Sequence, residues 1–460
     1  MKRTQLVWIS VLAILSLMTQ AFQCGSPEFT GAKVYIQQKN YKEAIRLLEA
    51  ETQKNPSNEE AWYLMGVLKG DQFGDYEGMN RAFNAALKIS NQHEKDIRGM
   101  RFNRWGQHLN GGVTLLNKAS SDSAQYYTLA VDEFNKAIAA WPDTSLSYRY
   151  LGYAYTNAGA ADDAIAAYTK AWNLGKDKEA YSRAGRMFLQ KGFDQKSKFE
   201  SENAEKLRMI KNLAQIEKGS YRTDVMRVLG APDNVKKGPK TSKKEEWTYG
   251  KYNLTLMIDG EKVAGKTMSK PYDPGVDSTR YRAAEQEFYR AIDVFERIKQ
   301  EDPKDNENLG LLLQAYVEAN RIQEATKTFK QAVLNEPGNK TNHYILGVLY
   351  RTTGDFTSAI GEFKEALNID PGYGDALFDV GATYYNWGVD ILKAAQEKGE
   401  ESQEYKEKFK EALPFMEKVA EIKKDDAQVW ETLGTIYARL GDAERAVKAL
   451  DQADKIRKSK

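Results

Sequence analysis

Along residues 291 to 384, apolar side chains return at fixed intervals in two interleaved sets. Ala325, Phe329, Ala332 and Pro337 recur 34 positions later as Ala359, Phe363, Ala366 and Pro371. Ala291, Phe295, Ile298 and Pro303 stand 34 positions earlier. A second set keeps the same step: Leu312, Leu346, Val380, then Leu313, Gly347, Gly381, then Tyr316, Tyr350, Tyr384. Within each set the spacing is three or four residues, which puts the side chains on one face of a helix. Counting each unit from the start of its first helix, the second set falls at positions 7, 8 and 11. The first set falls at 20, 24 and 27, and the proline at 32 stops the second helix. A small residue at position 8 lets the partner helix approach. The pattern therefore predicts a mainly α chain of stacked helix pairs whose core grows by addition.

The same spacing extends over most of the chain. Ala44, Leu48 and Pro56 belong to a first unit, and Trp62, Met65, Gly66, Ala82, Phe83 and Ala86 to a second. A third is stretched, with Phe102, Trp105 and Gly106 in its first helix but Ala130, Phe134, Ala137 and Pro142 arriving twelve residues late. The fourth, Tyr148 to Ala171, is regular. A fifth opens at Tyr181, Ala184, Gly185 and Phe188, and its second helix is found only at Ala291 to Pro303, so a sizeable segment is inserted within one unit. The ninth and last unit carries Trp430, Leu433, Gly434, Tyr437 and Ala446. The expected division is 1–23 leader, 24–192 repeats, 193–274 insert and 275–460 repeats.

These residue types at this period resemble the tetratricopeptide repeat (TPR), a helix–turn–helix unit that stacks into an α-solenoid. The resemblance implies about nine repeats and a surface for binding proteins or peptides. Members that grip a C-terminal carboxylate carry Lys, Arg and Asn at positions 2, 5, 6 and 9 of successive first helices. Here positions 5 and 9 supply Tyr63, Arg149 and Tyr153, Gln314, Tyr344 and Phe378. That is no carboxylate clamp. It is a mixed aromatic groove suited to a peptide held in side-chain pockets. Packing between neighbouring repeats accounts for any single aromatic at least as well.

The insert has another texture. Leu207, Ile210, Leu213 and Ile216 mark one helix ended by Gly219, and Ser220 stands as N-cap for a second, Thr223 to Leu229, closed by Gly230. Glu246 to Gly250, Tyr252 to Asp259 and the residues after the Asp259-Gly260 hairpin signal read as three antiparallel strands. The run Lys218 to Asp233, with Val225, Leu229, Gly230, Pro232 and Asp233, and the later Trp247, Tyr249 and Gly250, resemble the SmpA/OmlA (BamE-like) lipoprotein domain. Ser220-Tyr221 departs from that family's usual Gly-Met. The resemblance implies a small α+β, non-catalytic protein-interaction module at the outer membrane.

Gly260 to Thr267 satisfies the P-loop expression. A phosphate cradle needs a helix beginning at Lys266, and Pro271, Pro274 and Gly275 forbid one of any length. Five lysines between Lys236 and Lys244 are expected in a solvated loop between helix and strand, with anionic lipid headgroups as the other contact weighed.

Composition narrows the function. Lys plus Arg number 67 against 65 Asp plus Glu, so no bulk field invites nucleic acid. The three histidines, His93, His108 and His343, fit no metal-ligand spacing. No nucleophile stands beside a base, so an enzyme is not expected, nor a cofactor or a metal. Lys2 and Arg3 precede an apolar run, Leu6 to Met18, that reads as an export signal. Cys24, the only cysteine in 460 residues, follows it directly. A lone thiol in an exported protein makes no internal disulfide, which favours lipidation of Cys24. Cleavage after Ala21 without lipidation is the alternative. The expectation is an exported, non-enzymatic scaffold of the bacterial envelope. It would be anchored at the outer membrane by lipid and would bind envelope proteins or peptides in its groove. A soluble periplasmic adaptor is the alternative.

Overall fold

The computed structural model describes residues 26–119, 125–239, 241–398 and 403–458. Cys24 and the leader lie outside them. Two compact units divide at Ala184 and Gly185.

Unit one holds α1 (Pro27–Gln37), α2 (Tyr41–Lys54), α3 (Glu59–Phe73), α4 (Tyr76–Ile89), α5 (Glu94–Ala119), α6 (Gln125–Ala140), α7 (Ser145–Asn157) and α8 (Ala161–Gly175). The boundary falls within α9 (Lys178–Glu202). Unit two continues with α10 (Ala204–Gln215), α11 (Arg222–Leu229), β1 (Asn234–Lys237), β2 (Lys244–Tyr249), β3 (Leu254–Asp259) and β4 (Lys262–Met268). Then follow α12 (Thr279–Glu301), α13 (Asn306–Glu318), α14 (Ile322–Asn335), α15 (Lys340–Thr352) and α16 (Phe356–Ile369). Last come α17 (Gly374–Lys398), α18 (Glu404–Ile422), α19 (Ala427–Leu440) and α20 (Ala443–Lys458). Of the twenty helices among the described residues, eighteen form nine helix pairs, with α9 and α12 as one pair around the insert, and α10 and α11 belong to the insert itself. The fold is thus an α-solenoid carrying one small antiparallel sheet.

Local chemistry sets the ends of the helices. Asn40, Asn58, Asp75, Asp305 and Asp355 each accept from the amide three residues on, the usual N-cap bond. Helices α2, α6, α12, α14 and α16 stop two residues before Pro56, Pro142, Pro303, Pro337 and Pro371. Proline excludes the helical conformation from the residue before it.

Position 8 joins the two helices of a pair. A Cβ on Gly66 would come 2.4 Å from the Phe83 ring, and one on Gly152 2.3 Å from Tyr168. In the stretched third pair the seat is not Gly106, as the repeat spacing implied, because nothing lies within 4 Å of it. Gly112 takes that place beneath Phe134, at 2.4 Å. The extra residues lengthen the first helix, so the contact slides along it by almost two turns. The split and eighth pairs instead double the contact. Gly185 and Gly192 lie against Phe295 and Phe288, and Gly381 and Gly388 against Met416 and Phe409. Seven residues are about two helical turns, so both contacts fall on one face.

The insert's sheet has four strands in the order β1-β2-β3-β4, all antiparallel, and not the three expected. Asn234-Val-Lys-Lys has no apolar alternation and all four residues are exposed, so only backbone pairing to β2 makes it a strand. The lysine run accordingly turns a β1–β2 hairpin instead of linking a helix to a strand. Tyr252 belongs to a 3-10 turn and not to β3. Ser220 does not cap α11, since its Oγ accepts from Glu217 N at 3.0 Å and the helix begins at Arg222 after Tyr221. Leu213 and Ile216 are buried against the sheet with Val225, Trp247, Leu254, Leu256 and Ile258. Ile210, expected in that stripe, is 40% exposed, and Met209 packs there instead. Asp233 links the two parts of the motif, its Oδ2 accepting from Gly250 N at 2.6 Å.

One side chain clasps both ends of the insert. Buried Asn203 accepts from Asp277 N at 3.2 Å and donates to Asp277 O at 3.3 Å.

Candidate functional site

The six side chains singled out at positions 5 and 9 all stand on first helices of pairs: Tyr63 on α3, Arg149 and Tyr153 on α7, Gln314 on α13, Tyr344 on α15 and Phe378 on α17. Three fall in each compact unit.

In unit one, Tyr63 stacks on His93, with centroids 3.9 Å apart and planes 10° apart. His93 Nδ1 lies 2.9 Å from Glu59, which holds the imidazole flat beneath the phenol. Burial pushes the Tyr63 hydroxyl pKa up, with Asp96 adding to it. Arg149 and Tyr153 converge on one acid. Arg149 reaches Glu179 at 2.5 Å and Asp177 at 3.3 Å, and the Tyr153 hydroxyl donates to the other Glu179 oxygen. Arg183 lies over the Tyr153 ring at 4.6 Å. Burial and the Glu179 contact push the Tyr153 pKa up to about 12. The Tyr153 hydroxyl and the neighbouring guanidiniums pull the Glu179 carboxyl below its usual range.

In unit two, Tyr344 packs between Phe363 and Tyr373, at 5.7 Å and 5.2 Å. Burial first, and the adjacent Asp379 second, raise its pKa far above the ordinary phenol value. Asp379 is itself buried and paired with Arg351. Phe378 is half-buried beneath Lys423, whose Nζ is 5.6 Å from the ring centre. Gln314 is exposed.

Sequence reasoning missed the acids. Glu179 is at position 2 of its first helix and Asp379 at position 6, two of the four places a carboxylate clamp fills with cations or amides. Their signal was an acid where that chemistry needs a base. Around Tyr63, Tyr153 and Tyr344 the surroundings are thus aromatic and anionic, an environment that favours the neutral phenol.

Lys266 lies in mid-strand β4 and donates to the Leu213 carbonyl, so no helix N-terminus follows the Gly-Lys-Thr sequence. Among the described residues no group of three or more His, Cys, Asp or Glu is placed to hold a metal ion. None of their helices is long and apolar enough to cross a membrane.

The geometry defines a class first, the α-solenoid of helix pairs. The tetratricopeptide repeat family matches residues 123–177 and 311–374, and a second model of the same description matches 427–460. The chain therefore carries tetratricopeptide repeats, a class that builds extended surfaces for binding other proteins. Among solved structures, one of MamA is 21% identical with a TM-score of 0.31, covering 40% of this chain and 96% of that one. Another, YrrB, a TPR protein with an unusual peptide-binding site, is 20% identical with a TM-score of 0.28, covering 39% and 86%. No curated protein matches.

Proposed function

We propose that this chain is a non-enzymatic interaction scaffold of the bacterial cell envelope, anchored at the outer membrane through lipidated Cys24. Its repeats hold a peptide or protein segment against the first helices, and its insert offers a second contact surface. One observation carries the groove reading. Arg149 and Tyr153 on one first helix and Glu179 on the next form a single polar cluster at the surface instead of a buried core contact. Such a cluster, flanked by half-buried aromatics, combines rigid area with directional hydrogen bonds.

The envelope assignment draws on the export-type leader, the single cysteine behind it, and the resemblance of the insert to the SmpA/OmlA domain. The two-helix, antiparallel-sheet order of the insert is consistent with that domain. Intact-mass analysis of the mature chain from its host tests the anchor. An acylated Cys24 N-terminus is expected, whereas an unmodified chain beginning at Phe22 overturns it in favour of a soluble periplasmic adaptor.

A further inference from the structure

The insert's sheet has one covered edge and one open edge. Along the outer side of β4, Val263 N donates to Ser220 O and Arg222 N to Glu261 O, both at 2.8 Å, so the loop before α11 covers it there. β1, at the other end of the sheet, has no such cover, and all four of its residues are exposed. Its register pairs Asn234 with Thr248 and Lys236 with Glu246, and Gly238 N donates to Lys244 O at 2.9 Å in the same register. Alternate residues of an antiparallel strand turn their main-chain groups to opposite sides. Asn234, Lys236 and Gly238 therefore face β2, whereas Val235 and Lys237 turn an N–H and a C=O each outward. Among the described residues these four groups have no partner. Such a row is a template for one more strand.

Charge decides which strand fits. Lys236, Lys237, Lys243 and Lys244 are exposed, and among the described residues none of them forms an ion pair. Of the two acids on the same hairpin, Glu245 is held by Arg222 at 3.5 Å and by Trp247 Nε1 at 2.8 Å. That leaves Glu246 alone against four lysines. The edge of a second copy carries the same lysines, and like charges opposite each other destabilise a strand pair, so self-pairing is disfavoured. An acidic strand is attracted instead. A flat anionic membrane fits less well, because Lys236 and Lys237 are neighbours in one strand and point to opposite faces of the sheet. A plane meets one of them, whereas a strand on the edge lies between both. Val235 shares the face of Lys237 and is 40% exposed, so an apolar side chain on the added strand has a surface to cover.

We propose that the open edge of β1 takes up an extended acidic segment of a partner protein as a fifth strand, its main chain paired with Val235 and Lys237. This gives a partner class to the insert's contact surface and rests on that part of the proposed function. The probe is a labelled Thr-Val-Glu-Glu-Val-Thr peptide with blocked ends, whose palindromic sequence suits either strand direction. It is titrated against the full-length chain by fluorescence anisotropy, and hydrogen exchange over residues 234–238 is followed by mass spectrometry. The proposal expects saturable binding, new protection of the Val235 and Lys237 amides, and a loss of about tenfold or more when Lys236→Glu and Lys237→Glu are combined. Thr-Val-Lys-Lys-Val-Thr should bind that charge-reversed chain and not the native one. Val235→Pro should weaken the acidic peptide to a similar degree, because it removes an outward N–H and no ladder bond. Circular dichroism checks that each variant is folded, and the exposed lysine pair suffices if Val235→Pro is not. No binding of the acidic peptide overturns the proposal. Binding without amide protection places the peptide on lysine side chains alone and overturns strand addition. Phosphatidylglycerol vesicles bound through these lysines, with no peptide bound, make the hairpin a lipid contact and overturn it as well. Because the peptide is supplied, each outcome stays readable whether or not the first-helix groove captures a partner.

Discussion

Gly347 lies under the ring of Phe363, so close that a Cβ added to it would stand 2.6 Å from both Cδ1 and Cε1. The repeat depends on that approach, because the ring fills the space a side chain would take. Gly347→Ala is expected to cost about 1–3 kcal/mol through overpacking. Gly310→Ala on α13, where nothing lies within 4 Å, is expected to gain up to about 1 kcal/mol from helix propensity. Urea denaturation of both variants measures the contrast. Equal effects would mean that position 8 is not the seat.

The core of the insert turns on Trp247, which is 2% exposed, packs under Arg222 at 4.9 Å and donates to Glu245 at 2.8 Å. Trp247→Ala is expected to cost about 3–5 kcal/mol within the insert. Far-ultraviolet dichroism should keep the helical signal of the repeats while proteolysis begins between residues 204 and 278. Loss of the helical signal as well would show that insert and repeats fold as one unit.

Asn203→Ala removes both bonds of the clasp to Asp277. The expected cost is about 1–3 kcal/mol, with slower transverse NMR relaxation for residues 205–268 than in the native chain. In the native chain those residues should tumble with the helices that flank them. Independent tumbling there would contradict the clasp.

Tyr249 gives a pH dependence whose sign follows from its burial. Burial, with Asp233 nearby, raises its pKa to about 12, against about 10 for an exposed tyrosine. The neutral form is favoured by folding, so its stabilisation is complete below pH about 10 and is lost as pH rises towards 12. Tyr153 and Tyr316 are raised to about 12 in the same way. Melting temperatures should fall across that window, less steeply in Tyr249→Phe. An ultraviolet titration showing Tyr249 ionising near 10 would contradict the burial argument.

Much of this architecture was legible because it rests on few residues at fixed spacing. Ala359, Phe363 and Gly347 announce their own contact, and prolines two residues past five of the helices mark their ends. What escaped was set by neighbours. Gly106 and Gly112 are equivalent in type, and only the lengthened α5 decides which one meets Phe134. The strand Asn234 to Lys237 carries no pattern of its own, since backbone pairing to β2 alone makes it one. Ser220 has the right chemistry for a cap, but its hydroxyl is engaged by Glu217. At positions 5 and 9 the tyrosines were visible by spacing, while Glu179 and Asp379 were not, because each acts on a side chain one repeat earlier.

The scaffold reading is tested most directly by affinity capture from the protein's own host. Partners of the native full-length chain, identified by mass spectrometry, are compared with those of a folded variant combining Tyr63→Ala, Arg149→Ala, Tyr153→Ala, Tyr344→Ala and Phe378→Ala. The account predicts that envelope proteins are recovered with the native chain and lost with the variant. Recovery of no envelope protein, or equal recovery by both chains, would contradict it.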